Sequence, residues 1–580
     1  MVTTGADVVV RTLIEQGCDT VFGYPGGNVI NIYDALYQHE DEIRHVLTAH
    51  EQGAAHAADG YARATGRVGV CIATSGPGAT NLVTGIATAF LDSVPLVAIT
   101  GNVSTGQIGT DSFQELDITG VTLPITKHNF FVGSAKDVAP TIREAFRLAM
   151  SGRPGPVLID FAKNAQTGRV EYAPEPPVTP DARTVAPDDA IAAAAECINQ
   201  SRRPYVYFGG GMIASGAQAE MLALAEALDA PLGCSLMGIS AIPTDTPRFL
   251  GMEGMHGHFA STTAMKNADC IIALGVRFND RSTGDRAKFA RGTRIVHIDV
   301  DESELSKTIR DTHDLCGDLR ETLARILPLV RPRERGDWHR EVDGFVARER
   351  AGADRRPGLT PRAVMGVLQR HLTPEMTVTT DVGQHQMWAA QYLSFDRPRS
   401  FVTSGGLGTM GFGLGASVGA SLATGRRTAL VTGDGSFGMS LVEMATAVTV
   451  RAPLVILLLN NGVLGMVRQQ QRYICHQRYS NTTLERRTDF VALAKAFGAD
   501  GERVADLGGL DAALGRAFAA DGPYLVECPV GEDELVLPMM LPGGSMDDII
   551  VRDPLTAGEA DGQAPAAPAA DARATEGEGE

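Results

Sequence analysis

The sequence has no excess of basic residues. Its 580 residues contain 51 Lys and Arg against 69 Asp and Glu, which gives a formal net charge of -18 at pH 7. Nucleic acids and anionic membrane surfaces attract proteins through basic patches, so the charge argues against both as partners. Six of the acids fall in residues 556–580, a run rich in Ala, Gly and Pro. We predict that this run is a disordered acidic tail.

Cysteine pairs, leader sequences and long apolar runs are also missing. The eight cysteines never form a C-x-x-C spacing, so the sequence indicates no zinc site, and most lie in apolar runs typical of buried free thiols. The amino terminus, MVTTGADVVVRTLIEQG, resembles neither a signal peptide nor an Arg-rich transit peptide. No apolar run approaches the length of a membrane span. These absences predict a soluble enzyme of the cytoplasm.

The chain is too long for one hydrophobic core and instead alternates strand and helix patterns. We predict an α/β protein with three doubly wound parallel-sheet domains, at residues 1–165, 186–330 and 360–535. Residues 536–555 form a further carboxyl-terminal segment. The Pro-rich residues 164–188 and the charged residues 331–361 are predicted linkers, the second with a solvated helix.

Residues 427–466 carry the strongest local pattern. A short apolar run at 428–432 ends in glycine, residues 436–450 have apolar residues at helical spacing, and 454–459 is continuously apolar. This order predicts one strand, helix, strand unit. Because the carboxyl ends of parallel strands meet at one edge of a sheet, Asp434 and Asn461 are expected to converge there.

These two side chains predict a metal and diphosphate clamp. Mg²⁺ prefers oxygen ligands and often shares them with substrate phosphates. Gly433 and Gly435 allow close backbone approach to a diphosphate, and the following helix N-terminus favours negative charge. The order Gly-Asp-Gly, 24 residues, Asn-Asn resembles the cofactor motif of the thiamine-diphosphate-dependent decarboxylase and synthase superfamily. The resemblance implies that Asp434, the Asn461 side chain and the Val463 carbonyl hold Mg²⁺.

Glu51 is the candidate catalytic acid in the first domain. Its T-x-x-E spacing from Thr48 is that of a capping box, which by itself favours a role at a helix N-terminus. The segment HEQGAAHAADGYARATG, however, is similar to the catalytic glutamate segment of the superfamily. The cofactor needs a carboxyl group that protonates its aminopyrimidine, so the resemblance assigns this task to Glu51. By itself, the glycine segment of VFGYPGG is an ordinary tight turn. The resemblance implies that the Gly27 N–H stabilises the oxyanion that develops during the reaction.

Two loops of the first domain narrow the resemblance to one family. IGTDSFQELD and PITKHNFF closely resemble the catalytic large subunit of acetolactate synthase, also called acetohydroxyacid synthase. The resemblance implies that Phe113 and Gln114 border cofactor and substrate, and that Lys127 lies near the channel entrance. The glycine turn in VGVCIATSGPGATN lacks the lysine of a Walker A loop, so an ATP site is not indicated.

The central domain has three apolar strands that end in glycine or acid, but it lacks the G-x-G-x-x-G motif of dinucleotide sites. The pattern alone therefore leaves open that this domain binds no cofactor and is purely structural. The segments GMEGMHGHF, ALGVRFNDRSTG and HIDVDESELSK resemble the FAD-binding segments of the family. The family usually has two aspartates where this chain has Asn279 and Asp280. The resemblance implies that FAD is lined by Arg153, Gly209, Gly210, Gly211, Met255, His256, Gly275, Arg277, Asn279, Asp299 and Asp318.

The third domain contains the remaining expected thiamine contacts. Met410, in the glycine string SGGLGTMGFGLGA, is expected to be the bulky residue behind the thiazolium ring, and residues 536–555 are expected to form a lid. Gln470 stands where most of the family have Trp, which predicts weaker selection of the larger acceptor. The predicted thiamine diphosphate set is Glu51, Ser93, Gln114, Gln384, His385, Gly408, Met410, Asp434, Gly435, Ser436, Asn461 and Met466.

The resemblance implies acetolactate synthase activity with thiamine diphosphate, Mg²⁺ and FAD. Pyruvate, or pyruvate with 2-ketobutyrate, is the expected substrate, and Arg281 is expected to bind the carboxylate of the second ketoacid. A homodimer or homotetramer, with a possible small regulatory subunit, is the expected assembly. The alternatives are a FAD-free catabolic acetolactate synthase, a pyruvate oxidase, another thiamine carboligase, an NAD(P) dehydrogenase and a non-catalytic paralogue.

Overall fold

A computed structural model describes residues 1–555, so the predicted tail at 556–580 lies outside the described residues. Its strands form three six-stranded parallel sheets and one two-stranded antiparallel sheet, which confirms the predicted fold class. No helix of this described part is long and apolar enough to cross a membrane. All eight cysteines are free, and six of them are buried.

In the first domain, helices pack on both faces of one parallel sheet. Its elements are β1 (Val2–Thr4), α1 (Gly5–Glu15), β2 (Thr20–Tyr24), α2 (Ile30–Gln38), β3 (Arg44–Leu47), α3 (Glu51–Thr65), β4 (Gly69–Ala73), α4 (Pro77–Asn81), α5 (Val83–Leu91), β5 (Leu96–Asn102), α6 (Ile118–Thr122), β6 (His128–Val132), α7 (Val138–Met150), β7 (Pro156–Ala162), α8 (Lys163–Thr167) and β8 (Arg169–Glu171).

The central domain contains the second parallel sheet. Its elements are α9 (Asp188–Asn199), β9 (Pro204–Phe208), α10 (Gly210–Ser215), α11 (Gln218–Leu228), β10 (Leu232–Cys234), β11 (Phe249–Met252), α12 (Phe259–Asn267), β12 (Cys270–Leu274), α13 (Asp280–Thr283), β13 (Arg294–Asp299), β14 (His313–Cys316), α14 (Leu319–Ile326) and α15 (Gly336–Ala351).

The third domain contains the last parallel sheet. Its elements are α16 (Pro361–His371), β15 (Thr377–Thr380), α17 (Gln384–Tyr392), β16 (Phe401–Val402), α18 (Phe412–Thr424), β17 (Thr428–Gly433), α19 (Asp434–Ser440), α20 (Glu443–Thr449), β18 (Leu454–Asn460), α21 (Gly465–Ile474), α22 (Phe490–Phe497), β19 (Asp500–Arg503), α23 (Leu507–Ala519) and β20 (Tyr524–Pro529).

The first and third domains share one strand order. The sheets run β3-β2-β4-β5-β7-β6 and β16-β15-β17-β18-β20-β19, which is the order 2-1-3-4-6-5 in both. The central sheet runs β11-β10-β9-β12-β13-β14, the order 3-2-1-4-5-6 of dinucleotide-binding folds. Its switch point therefore lies between β9 and β12. In each domain, the carboxyl ends of the strands form an edge of the sheet at which a ligand is expected to bind.

Two predictions about local structure were wrong, and a third was incomplete. The helix predicted at 436–450 is two helices, α19 and α20, and the first begins at Asp434 itself. The segment predicted as a linker from residue 164 begins with α8 and β8, and β8 pairs with β1. The solvated helix α15 buries Trp338, whose indole N–H donates to the Pro204 carbonyl and anchors the helix on the central domain.

Candidate active site

A cleft opens beyond the carboxyl ends of β17 and β18, where the clamp was predicted. Strand β18 is apolar and buried on both faces, as expected for a central parallel strand. Its only polar residue, Asn460, lies at the carboxyl end of the strand, at the edge of the sheet. The side chains around the cleft come entirely from the third domain: residues 382–385, Trp388, Met410, residues 433–436, Leu459, Asn461 and residues 463–467.

Asp434 is the buried anion of this cleft. It begins α19 directly after β17 and is only 6% exposed. Burial raises the pKa of its carboxyl to about 6, although the backbone N–H groups of Asn461 and Gly462 act in the opposite direction. A cation beside the carboxylate would offset the cost of burying its charge.

Asn461 and Val463 supply oxygen atoms at the same edge. The Asn461 Nδ2 donates to the Gln384 Oε1 at 3.2 Å, which leaves the amide oxygen on the opposite side. That oxygen accepts a hydrogen bond from the Val463 N–H at 3.2 Å. A carboxylate, an amide oxygen and a neighbouring backbone carbonyl are the donor types that Mg²⁺ takes, so the residues present fit this metal.

Glycines keep the clamp open to a diphosphate. A Cβ atom on Gly433 would lie 2.8 Å from the His385 Nδ1, and one on Gly435 would lie 2.7 Å from the Leu464 Cδ2. A side chain at Gly433 would displace the His385 ring, and one at Gly435 would displace the end of the Leu464 side chain. The two glycines therefore leave the backbone uncovered where α19 begins. The Met410 Cε lies 3.9 Å from the same virtual atom on Gly435, so Met410 borders the clamp.

The other predicted thiamine contacts of this domain lie around the clamp. His385 is buried, and burial lowers its pKa to about 3, so its ring is neutral. The Ser436 Oγ lies 3.3 Å from the Gly433 carbonyl oxygen. Met466 lines the cleft, and Gly408 forms an exposed turn with a φ of +68°.

Glu51 lies at the start of α3 in the first domain. Its Oε2 accepts a hydrogen bond from the Asn81 Nδ2 at 2.9 Å. The T-x-x-E spacing forms no capping box, because the Thr48 hydroxyl donates to the His50 carbonyl at 3.0 Å and His50 is the N-cap. The Gly27 N–H, in the exposed turn after β2, donates no hydrogen bond within the described residues. Neither Glu51 nor Gly27 lines the third-domain cleft.

The predicted loop residues are not gathered in that cleft either. Phe113 is 85% exposed, and Gln114 packs on the Gly76 backbone with a φ of +62°. The Lys127 Nζ donates to the Ser151 carbonyl at 2.6 Å and also to the Leu148 carbonyl, at the end of α7. Burial lowers the pKa of Lys127 to about 8. The structure thus places Lys127 at a helix carboxyl terminus.

The predicted FAD glycines flank the switch point of the central sheet. Gly209, Gly210 and Gly211 follow β9, and Gly275 follows β12. The Gly211 N–H donates to the Gly275 carbonyl at 3.0 Å, and a Cβ on Gly275 would lie 2.8 Å from the Gly211 Cα. Gly275 also has a φ of +53°. This bare double turn is the place where such sheets hold dinucleotides, so the residues fit FAD.

Acidic and basic members of the FAD set surround the double turn. Burial raises the pKa of Asp299, at the end of β13. Asp318 caps α14 and lies 3.0 Å from the Arg183 guanidinium. Arg153 contacts the central domain through Glu304 at 2.9 Å, and its Nε donates to the Ser93 Oγ at 2.8 Å. Ser93, predicted for thiamine diphosphate, therefore lies with the FAD set.

Three further FAD candidates and Arg281 meet at α13. Asn279 caps this helix by accepting from the N–H groups of Arg281 and Ser282. The Met255 N–H donates to the Arg281 carbonyl at 2.7 Å. Burial lowers the pKa of the neighbouring His256 to about 4. The Arg281 side chain is exposed. Arg277 instead reaches the first domain, where it donates to the Leu91 carbonyl at 2.6 Å.

The sequence pattern missed several residues that support these sites. Asn81 holds Glu51, and it ends the helix after the glycine turn of SGPGATN. Asp381 accepts from the Gly411 N–H at 2.8 Å, but it follows a strand made mostly of threonine, so the apolar run that identified Asp434 is absent before it. Gln469 joins Gln384 to the carboxyl-terminal segment by accepting from the Val536 N–H at 2.9 Å. Gln470, beside it on α21, is half-buried.

Comparison with known proteins places all three domains. The chain matches the thiamine pyrophosphate enzyme N-terminal TPP binding domain over residues 3–121, the central domain over 191–326 and the C-terminal TPP binding domain over 381–528. It is 44% identical to the acetolactate synthase large subunit of Corynebacterium glutamicum, over 94% of this chain and 90% of that protein. It is also 44% identical to the isozyme 2 large subunit of Escherichia coli, over 94% and 99%. A probable large subunit from Methanocaldococcus jannaschii is 42% identical, over 94% and 95%.

Proposed function

The chain belongs to the family of acetolactate synthase large subunits, which are thiamine-diphosphate-dependent enzymes, and from this premise we propose that it joins two pyruvate molecules to give 2-acetolactate and CO₂. With 2-ketobutyrate as acceptor the product is 2-aceto-2-hydroxybutyrate. Both reactions begin branched-chain amino acid biosynthesis. The observation that carries the proposal is the third-domain cleft, in which Asp434, Asn461 and Val463 surround a bare glycine turn.

The cofactor sites follow from the donor atoms present. Asp434, the Asn461 amide oxygen and the Val463 carbonyl would hold Mg²⁺ against the diphosphate, and Gln384, His385, Gly435 and Ser436 would surround that group. Thiamine diphosphate supplies, when bound, the chemistry that releases CO₂ from a 2-ketoacid. Met410 would hold the bound cofactor from one side. FAD would bind at the double glycine turn as a structural group, since the net reaction transfers no electrons.

The reacting groups would be handled by the protein's own side chains. Glu51, oriented by Asn81, would exchange a proton between its carboxyl and the aminopyrimidine of the bound cofactor. The Gly27 N–H, which has no other acceptor among the described residues, donates to the developing oxyanion. The exposed Arg281 guanidinium binds the carboxylate of the second ketoacid. Phe113, Gln114 and Lys127 belong to the loops that would approach the substrate.

We also propose a homo-oligomer in which the two half-sites come from different subunits. The cleft contains side chains of the third domain alone, and Glu51 lies on a separate edge of the first domain. The exposed apolar side chains of Phe113 and Leu123 on the first domain, and of Met439 on the third, are surfaces that a second copy would cover. A small regulatory subunit, as the large-subunit names of the relatives imply, and a cytoplasmic location complete the proposal.

The test is acetolactate formation from pyruvate by the purified chain with thiamine diphosphate and Mg²⁺, with and without FAD. We expect product that requires all three. Product that is unaffected by omission of FAD would favour a FAD-free catabolic enzyme. Absence of product with all three, also in the presence of a regulatory subunit, would contradict the proposed reaction.

A further inference from the structure

The carboxyl group of Glu253 is buried in the central domain without a hydrogen bond. Glu253 follows β11 and is 4% exposed, and neither of its carboxyl oxygens has a partner within the described residues. The hydroxyls of Tyr207 and Ser282 face it, but they bind each other at 2.9 Å. Burial therefore raises the pKa of Glu253 to about 8, and its carboxyl is uncharged at neutral pH.

Within residues 1–555, no charged group on the surrounding elements compensates Glu253. The titratable groups that face it are Tyr205 and Tyr207 on β9 and Cys234 on β10, and burial keeps the pKa of each well above its ordinary value. From α12, the Thr262 hydroxyl accepts from the neighbouring Gly254 N–H, and the Ser261 hydroxyl binds that of Tyr205.

The basic groups near Glu253 on its own loop and on α13 are neutral or turned away. Burial lowers the pKa of His256 to about 4, so this ring is uncharged. His258 is turned toward Glu349, at 2.6 Å. The Arg281 guanidinium contacts the Met255 sulfur, at 3.5 Å. An ionised Glu253 would therefore be a buried charge without a basic partner among the described residues, which is costly.

Glu253 begins a loop that holds two predicted FAD contacts. We call residues 253–257 the flavin loop, since it contains Met255 and His256. The loop lies in backbone contact with α13, because the Met255 N–H donates to the Arg281 carbonyl at 2.7 Å. A Cβ on Gly254 would lie 2.6 Å from the same oxygen, and Gly254 has a φ of +103°. Glu253 thus occupies the buried base of a tightly fitted loop.

We propose that FAD binding to this chain is coupled to protonation of Glu253, because the flavin loop keeps its position against α13 only while that carboxyl is neutral. Loss of the proton forces the carboxylate toward water, which displaces Met255 and His256 from the cofactor. FAD binds the flavin loop while the loop is packed against α13, so FAD binding favours the protonated form of Glu253. The inference rests on the proposed function, in which FAD occupies the central domain.

The direct test measures the FAD dissociation constant of the full-length chain by flavin fluorescence at pH 7 and pH 9. With a pKa of about 8, the constant of the wild type is expected to rise about tenfold across this interval. Glu253→Gln keeps the size and polarity of the side chain but cannot ionise, so its constant is expected to stay level. Glu226→Gln, on the exposed face of α11, is the matched control and should follow the wild type.

A second readout needs no FAD. The pKa of folded Glu253 lies above the ordinary value of 4.5, so its contribution to stability is complete below pH 4.5 and is lost as pH rises toward 8. The melting temperature of the FAD-free Glu253→Gln variant is expected to exceed that of the wild type by an amount that grows from pH 5 to pH 8. Should this variant fail to fold, Ser282→Ala is the substitute. It removes a hydroxyl that favours the ionised carboxyl, so the pH dependence of FAD binding should move to higher pH.

The possible outcomes distinguish failure of the Glu253 coupling from failure of the proposed function. FAD binding with the same pH dependence in the wild type and in Glu253→Gln would overturn the inference and leave the proposed function intact. Failure of every variant to bind FAD at either pH would contradict the FAD site itself. A level constant in Glu253→Gln alone, with Glu226→Gln following the wild type, supports the coupling.

Discussion

Two carboxylates, Glu51 and Asp434, lie at strand ends in different domains, and their surroundings suit different tasks. Glu51 is partly exposed and receives one hydrogen bond, from Asn81, so its carboxyl remains free to exchange a proton. Asp434 is buried, with a pKa raised to about 6, and is surrounded by oxygen-bearing groups. The first arrangement fits a proton carrier, and the second fits a metal ligand.

Glu51→Gln tests the proton carrier. The amide keeps the size of the side chain but cannot exchange the proton, so we expect acetolactate formation to fall by about 100-fold to 10,000-fold. The fold should be unaffected, because Glu51 is partly exposed at a helix terminus. Initial rates and the melting temperature are the measurements, with the exposed Glu40→Gln as control. Full activity in Glu51→Gln would remove Glu51 from the mechanism.

Asp434→Ala tests the metal clamp. Without the carboxylate, Mg²⁺ loses its charged protein ligand, so the affinity for thiamine diphosphate in Mg²⁺ is expected to fall by more than about 100-fold. Trp388 lines the cleft, so intrinsic fluorescence is a direct readout of binding. Asp500→Asn, on an exposed position of β19, is the control. Unchanged Mg²⁺-dependent binding in Asp434→Ala would show that the metal is held elsewhere.

The residue types of the clamp could be predicted from the sequence, whereas their supports could not. Asp434 and Asn461 follow apolar strands, and the carboxyl ends of parallel strands meet, so a local pattern predicts their convergence. Asn81 reaches Glu51 across 30 positions, and Gln469 reaches Val536 across 67. Such contacts depend on packing between elements, which carries no local signature. The Thr48 spacing forms no capping box for the same reason, since the Gly23 backbone of a neighbouring strand offers the hydroxyl another acceptor.

At the scale of elements, the pair α3 and α18 connects the first and third domains. Alanines and glycines at the contact let the two helices approach closely: a Cβ on Gly419 would overlap the Ala57 carbonyl oxygen, and one on Gly60 would overlap that of Ala416. The side chain of Glu443 adds hydrogen bonds to the Ala49 and His50 N–H groups at the start of α3. Glu51 begins the helix that this packing positions.

Gly419→Ala tests the close approach of the helices. Its methyl group would force α18 from α3, so a loss of about 1–3 kcal/mol in unfolding free energy is expected. Gly366→Ala is the matched control, because Gly366 lies in the exposed face of α16 and its Cβ would meet nothing within 4 Å. That change should be neutral or stabilise by up to about 1 kcal/mol. Equal effects of the two changes in urea unfolding would contradict the described packing.

At the scale of the whole molecule, the strand order supports the proposal that two domains contribute to one site. The first and third sheets share the order 2-1-3-4-6-5, so each offers an equivalent edge, with SGPG after β4 and GDGS after β17. Glu51 lies outside the cleft of its own chain. The middle sheet has a different strand order, 3-2-1-4-5-6, which is the order of sheets that bind dinucleotides at their switch point. This arrangement supports the proposal that a second copy brings the two half-sites together.

Mixing of two inactive variants tests this account most directly. Glu51→Gln and Asp434→Ala chains, co-expressed with different tags and purified through both, form mixed dimers in which one site has lost both groups and the other is intact. We predict acetolactate formation by the mixed dimer at about half the wild-type rate per dimer, far above either variant alone. A mixed dimer as inactive as its parents would mean that Glu51 and Asp434 act within one chain or not at all, and would contradict the account.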